Sequence, residues 1–197
     1  MLRARDNPFA SERLHALRFR LRGVTWEGLL ERFAALGHRG SLVGPEGSGK
    51  TTLLGALLPR FRELGFNVRQ LRLTRDQPRF QPPALDELWR DLGSHDLILL
   101  DGAEQLGPLR WRGFLRRTRP AGGLLITLHR AGRLPTLLEC GTSPELLDEL
   151  VADLLGELTP AARRRNRELF QRHAGNLRLV LRDWYDCCAA GTEALDR

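Results

Sequence analysis

Apolar positions along the chain follow one pattern up to about residue 141 and another after it. In the first part, short runs suited to strands alternate with stretches of helical spacing. "VTWEGLLERFAALG" (24–37) has the spacing of an amphipathic helix, "RGSLVG" (39–44) suits a short buried strand, and "KTTLLGALLPRFREL" (50–64) is helical again. "NVRQLRL" (67–73) alternates as a strand does, "DQPRFQPP" is a proline-containing loop, and "ALDELWRDLG" (84–93) predicts a short helix. "DLILLD" (96–101) is the most strand-like stretch of all. A helix is expected around "LRWRGFLRRTR" (109–119), a strand over "GLLITLH" (123–129) and a last strand in "PTLLEC" (135–140). Strands joined through helices pair in parallel, so this part predicts an α/β domain with helices on both faces of a parallel sheet. Ligands bind at the carboxyl ends of such strands.

After residue 141 only helices are expected. "TSPELLDELVADLLG" opens with Ser143 as N-cap and Pro144 in the first helical position, and "TPAARRRNRELFQRHAG" repeats the device with Thr159 and Pro160 before stopping at Gly175. "NLRLVLRDWYDCCAAG" places Leu177, Val180, Leu181 and Trp184 on one face. The chain thus divides into an N-terminal basic arm (1–23), an α/β domain (24–141) and a helical lid (142–197), whose terminal "TEALDR" is expected to fray. No internal repeat or low-complexity segment is visible.

Composition adds limits. In 197 residues, 42% hydrophobic, no apolar run comes near the roughly 18 residues of a membrane span, so a soluble chain with no membrane contact is expected. The opening "MLRARDNPFASERLHALRFRLR" mixes charge throughout, unlike a secretory leader, which argues for the cytoplasm. Cys140, Cys187 and Cys188 fit no metal spacing and are expected to be free thiols. The net charge of +7 admits contact with a polyanion, although 30 of the 31 basic residues are arginine, which a composition bias also explains. The one lysine is Lys50. A chain that uses arginine everywhere else has lysine where a compact ammonium on a flexible stem is needed.

That lysine belongs to the strongest motif. "GPEGSGKT", Gly44 to Thr51, matches G-x-x-x-x-G-K-[ST] at every fixed position, between an expected strand and an expected helix. Gly44, Gly47 and Gly49 let the backbone turn so that successive N–H groups at a helix start surround a β-phosphate. Lys50 would neutralise β- and γ-oxygens, and the Thr51 hydroxyl would ligate magnesium. Pro45, Glu46, Ser48 and Thr52 complete the candidate phosphate-binding set. "LILLDGAEQL" (97–106) then ends a strand at Asp101, placed as a second ligand for Mg2+.

A P-loop strand, an aspartate-ended strand, a later strand ending in "ITLHR" and a helical lid containing "GNLR" together resemble the AAA+ ATPases and their STAND relatives, which include NACHT-type domains. The resemblance spans roughly residues 24–190. It implies a P-loop NTPase fold, a three-layer parallel sheet with a small C-terminal all-helical lid, and ATP with Mg2+ as ligands. Asp101 matches the acid that holds magnesium, usually through water. In AAA+ enzymes a glutamate usually follows that aspartate; in NACHT-like proteins a small residue stands there and another acid sits three positions on. Gly102 and Glu104 match the second arrangement, which makes Glu104 the candidate to polarise the attacking water. Read without the resemblance, Glu104 is equally an acid favoured at a helix start. The resemblance also makes Thr127 or His129 a sensor of the γ-phosphate or the water. Arg130 stands for the arginine of the STAND "T-S-R" ending, displaced by one residue, and Arg178 for a second sensor on the lid.

Two functions follow. One is a slow Mg-ATPase used as a conformational switch on a protein partner. The other is a DNA-associated AAA+ regulator or loader, of replication or transposition type. It would set Arg110, Arg112, Arg116, Arg117 and Arg119, with Trp111 and Phe114, or the lid's Arg163, Arg164, Arg165 and Arg167, on phosphate. Many AAA+ proteins place an arginine in a neighbouring subunit's site. In a homo-oligomer the same helix, or Arg130 and Arg133, offers one.

Overall fold

The computed structural model describes residues 6–190, so the expected fraying of "TEALDR" lies outside the described residues. The chain forms two compact units. One holds residues 19–44 and 50–140; the other holds residues 45–49 and 141–190 together with the described residues up to Arg18.

The first unit is built on five strands, β1 (Arg39–Val43), β2 (Asn67–Arg72), β3 (Asp96–Asp101), β4 (Gly123–Leu128) and β5 (Thr136–Glu139). Their order is β2-β3-β4-β1-β5 and every pairing is parallel. Successive residues of β3 point to opposite faces, and both faces are covered. Leu97 and Leu99 join Leu29, Phe33, Leu53, Leu57 and Phe61 in one core, and Ile98 and Leu100 join Leu88, Phe114, Leu124 and Ile126 in the other. Two-sided burial is why β3 and β4 read as unbroken apolar runs. Helices α2 (Trp26–Ala35) and α3 (Lys50–Glu63) supply the first core, and α4 (Pro82–Trp89) and α5 (Pro108–Arg117) the second. The first helix of the chain, α1 (Ser11–Ala16), belongs to the other unit.

Two boundaries differ from expectation for local reasons. Helix α4 starts at Pro82, because proline is tolerated where the first helical N–H groups have no partner. It stops at Trp89 because Arg90 is extended and Asp91 has φ +51°. Arg69 of β2 then takes the freed carbonyls: its Nη1 donates to Leu88 O (2.9 Å) and Arg90 O (2.6 Å) and its Nη2 to Asp91 O (3.2 Å), while its Nε pairs with Asp96 Oδ1 (2.8 Å). Burial works against a charge on Asp96, but the Arg69 hydrogen bond and charge, with the Gly93 N–H, hold its carboxyl below the usual range.

In the second unit, α6 (Pro144–Leu155), α7 (Pro160–Arg172) and α8 (Leu177–Ala190) begin as their caps predict, with Ser143 Oγ accepting from Leu146 N and Thr159 Oγ1 from Ala162 N, both at 3.2 Å. The expected face of α8 is buried, Trp184 completely. Asn166, also fully buried, accepts from Trp184 Nε1 (2.8 Å) and donates to Asp148 Oδ1 (2.7 Å), so both ends of its amide are paired. Phe9 lies stacked on Trp184 with ring centroids 5.4 Å apart, and Asn7 Nδ2 donates to Tyr185 O (2.9 Å). These contacts give Asn7 and Phe9 a fixed place in the helical core.

Candidate functional site

Strand β1 ends at Val43 and α3 begins at Lys50; the turn between them is the phosphate-loop motif. Gly47 (φ +76°) and Gly49 (φ +84°) occupy the left-handed region that only glycine enters without strain. At Gly47 a Cβ would also run into the side chain of Asn176, which belongs to the same compact unit. Lys50 is buried, and its Nζ donates to Gly44 O at 2.6 Å. Ser48 Oγ is buried with no hydrogen-bond partner, a polar atom in the loop that a bound phosphate would satisfy. The first N–H groups of α3 lack intrahelical acceptors by construction and add a partial positive charge. Beside the loop, Cys140 N donates to Val43 O (2.6 Å), and burial pushes the Cys140 thiol up to about 11 although the Lys50 charge pulls it down. It is therefore a protonated packing residue at neutral pH.

The order of the sheet brings a second group of residues together. Strand β4 lies between β1 and β3, so its end adjoins the end of β3. Thr127 Oγ1 donates to Asp101 Oδ1 (2.7 Å) and accepts from Gly102 N (2.8 Å), and Thr51 Oγ1 donates to Asp101 Oδ2 (2.9 Å). Both carboxylate oxygens are thus held by threonine hydroxyls, one from the start of α3 and one from β4. Arg72 Nε lies 3.7 Å from Oδ2, a contact the sequence did not suggest because it depends on β2 pairing with β3 in register. Among the described residues no three His, Cys, Asp or Glu side chains cluster to hold a metal. Thr51 and Asp101 nevertheless fit Mg2+, which ordinarily takes one or two protein oxygens and fills its remaining positions with phosphate and water.

Past Asp101 the backbone turns at Gly102 (φ +83°), where a Cβ would collide with Leu73 O. A 3-10 turn over Ala103–Gln105 follows and carries Glu104. Glu104 Oε1 lies 3.3 Å from His129 Nε2, while its Oε2 is buried without a partner. Arg133 braces the same turn: Nη1 donates to Ala103 O (2.8 Å), Nη2 to Leu106 O (2.5 Å), and the guanidinium stacks over Trp111 at 5.1 Å. Burial lowers the Arg133 pKa and the Glu104 charge partly restores it. Glu104, His129 and Arg133 therefore form one group. Arg133 is committed to backbone and ring contacts, whereas Arg130 is exposed. In the helical unit, Gly175 has φ +78°, Asn176 Oδ1 accepts from Leu179 N (3.3 Å) at the start of α8, and Arg178 is exposed with no ion pair among the described residues.

Comparison with solved structures places this architecture. The chain is similar to Cdc6p from Pyrobaculum aerophilum, with a TM-score of 0.61 and 15% identity over 94% of this chain and 66% of that one. It is also similar to a variant of RuvB from Thermotoga maritima, with a TM-score of 0.50 and 18% identity over 79% of this chain and 58% of that one. The chain thus spans 66% and 58% of the length of those two proteins. At such identities the likeness is one of fold: a five-stranded parallel α/β sheet followed in the chain by helices alone. No protein-family model and no curated protein sequence matches the chain. No helix of the described residues is long and apolar enough to cross a membrane.

Proposed function

We propose that this chain is a cytoplasmic, ATP-binding P-loop ATPase of the AAA+ class, in which slow Mg-ATP hydrolysis acts as a conformational switch on a protein partner. One observation carries the reading: Thr51 and Asp101, separated by fifty positions, share a hydrogen bond at 2.9 Å one residue from the buried Lys50. A lysine, a hydroxyl and a carboxylate so placed are what a Mg-nucleotide needs and what a fold alone does not. Lys50, released from Gly44 O, would bind β- and γ-oxygens, while the N–H groups of Gly47, Gly49 and the start of α3 surround the β-phosphate. Thr51 and Asp101 would hold Mg2+, which when bound neutralises charge on the phosphates. Thr127 fixes the Asp101 carboxylate, and Glu104 orients and deprotonates the attacking water.

The pairing of Glu104 with His129 supports slow turnover, since one carboxylate oxygen is already engaged and only Oε2 remains for water. It also supports the STAND-like arrangement: a side chain at 102 is sterically barred, so the acid has to come later. Arg178, uncommitted on α8, is the candidate second sensor, and Arg130 the candidate to serve a neighbouring site in a homo-oligomer. A second reading, association with DNA, is favoured by the distribution of charge. From Gln105 to Leu138 the sequence has seven arginines and no carboxylate, an excess equal to the whole chain's net charge of +7.

The test is ATP turnover and nucleotide affinity of three proteins. Lys50→Ala should lose nucleotide binding. Glu104→Gln should bind ATP as the wild type does and turn it over about a hundredfold more slowly. Wild-type turnover by Glu104→Gln would remove it as the base, and unchanged affinity in Lys50→Ala would sink the nucleotide site itself.

A further inference from the structure

We propose that the outer face of α5 docks on the sugar–phosphate backbone of a nucleic-acid duplex. The proposal rests on the second reading above and assigns its contact surface.

The inner side of α5 is Trp111, Phe114, Leu115 and Thr118, packed into the second core of the sheet unit. The opposite side carries Arg110, Arg112, Arg116 and Arg117, all exposed, with Arg119 just beyond the helix. Arg110, Arg112, Arg116 and Arg119 pair with no carboxylate among the described residues, and the nearest acids in sequence are Glu104 and Glu139. A solvated helix face of ordinary design intersperses both signs and gains from pairs one turn apart. This one has a single sign, and it lies within the segment that carries all of the molecule's excess charge. Several kT of positive potential follow, with no carboxylate to offset it; of these guanidinium groups Arg117 alone, among the described residues, lies over a ring, that of Trp89, at 5.6 Å.

A second feature points to close approach. Gly113 stands in the middle of this outer face, one turn from both Arg110 and Arg117, and a Cβ placed there meets nothing within 4 Å. Packing therefore does not require glycine, which costs about 1 kcal/mol relative to alanine inside a helix. The bare position leaves a strip of backbone flanked by arginines, with Leu109 (82% exposed) one turn before it. Such a strip lets a rod-like phosphate backbone lie against the helix while arginines reach it from either side.

The aromatic residues decide between duplex and single strand. Binding of single strands uses exposed rings on which bases stack. Here Trp111 stacks on Phe114 at 6.0 Å and Phe114 on Phe80 at 5.7 Å, and Phe114 is 5% exposed. The rings are spent inside the core, and the outer face carries guanidinium groups with Leu109. That is the chemistry of backbone contact, which positions a duplex without reading bases.

The test is fluorescence anisotropy with labelled DNA duplex, RNA duplex and single strand of equal length, at low and rising salt. The proteins are wild type, R112A/R116A, Gly113→Glu, and R163A/R164A on α7 as a control. Wild type should prefer a duplex to the single strand, the DNA and RNA arms telling which backbone it takes. R112A/R116A should bind about tenfold or more weakly, and the slope of log K against log salt should flatten by about one per arginine removed. Gly113→Glu should also weaken binding, R163A/R164A should not, and all four should bind a fluorescent ATP analogue alike. Wild type that binds neither duplex overturns both the proposal and the second reading. Duplex binding that R163A/R164A weakens and R112A/R116A does not overturns the proposal alone. A preference for single strand, or equal capture of an acidic polypeptide, also overturns it, the latter in favour of a protein partner.

Discussion

Gly102 sits where two strands leave no room. Leu73 N donates to Asp101 O (2.8 Å), which brings Leu73 O against the 102 α-carbon, and φ is +83°. Gly102→Ala should therefore lose about 1–3 kcal/mol of stability from the backbone alone, and more from the collision. Urea denaturation measures it; wild-type stability would mean that the Leu73 carbonyl yields. Gly102→Glu, which would restore the commoner order of acids, should destabilise further without raising turnover. The sequence marked Gly102 by likeness to a family. The reason it must be glycine was not legible, because the colliding atom arrives through the pairing of β2 with β3. Lys50 and Thr51 could be read from the spacing of their motif, and Asp101 from its place at the end of an apolar run. The engagement of Glu104 with His129 and the bracing by Arg133 could not, because they depend on a turn of three residues with no periodicity.

Among the elements, β3 and β4 were the easiest to read, their unbroken apolar runs following from burial on both faces. The end of α4 was the hardest, because Arg69 sets it from another strand. Arg69→Met should leave several carbonyls and the Asp96 carboxylate without their donor, costing roughly 2–3 kcal/mol at pH 7. The pH dependence has a definite sign. A carboxyl held below its unfolded value contributes stability that is fully present above that value and lost as pH falls through the folded one. Wild type should therefore lose stability on acidification below about pH 4 more steeply than Asp96→Asn. Parallel acid limbs in chemical denaturation would show that the pair contributes nothing to folding.

For the whole molecule, the helical unit has one core and the sheet unit two, one on each face of the sheet. The change from mixed to all-helical patterning near residue 141 was visible in the sequence. The place of Phe9 on Trp184 was not, because the opening segment mixes charge with isolated apolar residues. Strand order was not legible either, since parallel strands of similar composition carry no label for their neighbours. The four tryptophans are divided between the units, with Trp184 in the helical core and Trp26, Trp89 and Trp111 in the other. A protein retaining only Trp184, the others changed to Phe, should show a fluorescence transition in urea that does not coincide with loss of far-UV circular dichroism. Coincident curves would show that the two units unfold as one.

Lys50 has a further consequence for chemistry done on this protein. It is the only lysine in the chain, and it is buried against Gly44 O. Reagents that acylate side-chain amines have one target in the polypeptide, inside the phosphate loop. Modification at that position, read on the peptide that contains Lys50 and apart from any at the α-amine, becomes a direct gauge of whether the loop is occupied. Ordinary amine-directed surface immobilisation or crosslinking, by contrast, would find almost nothing on the exterior to hold.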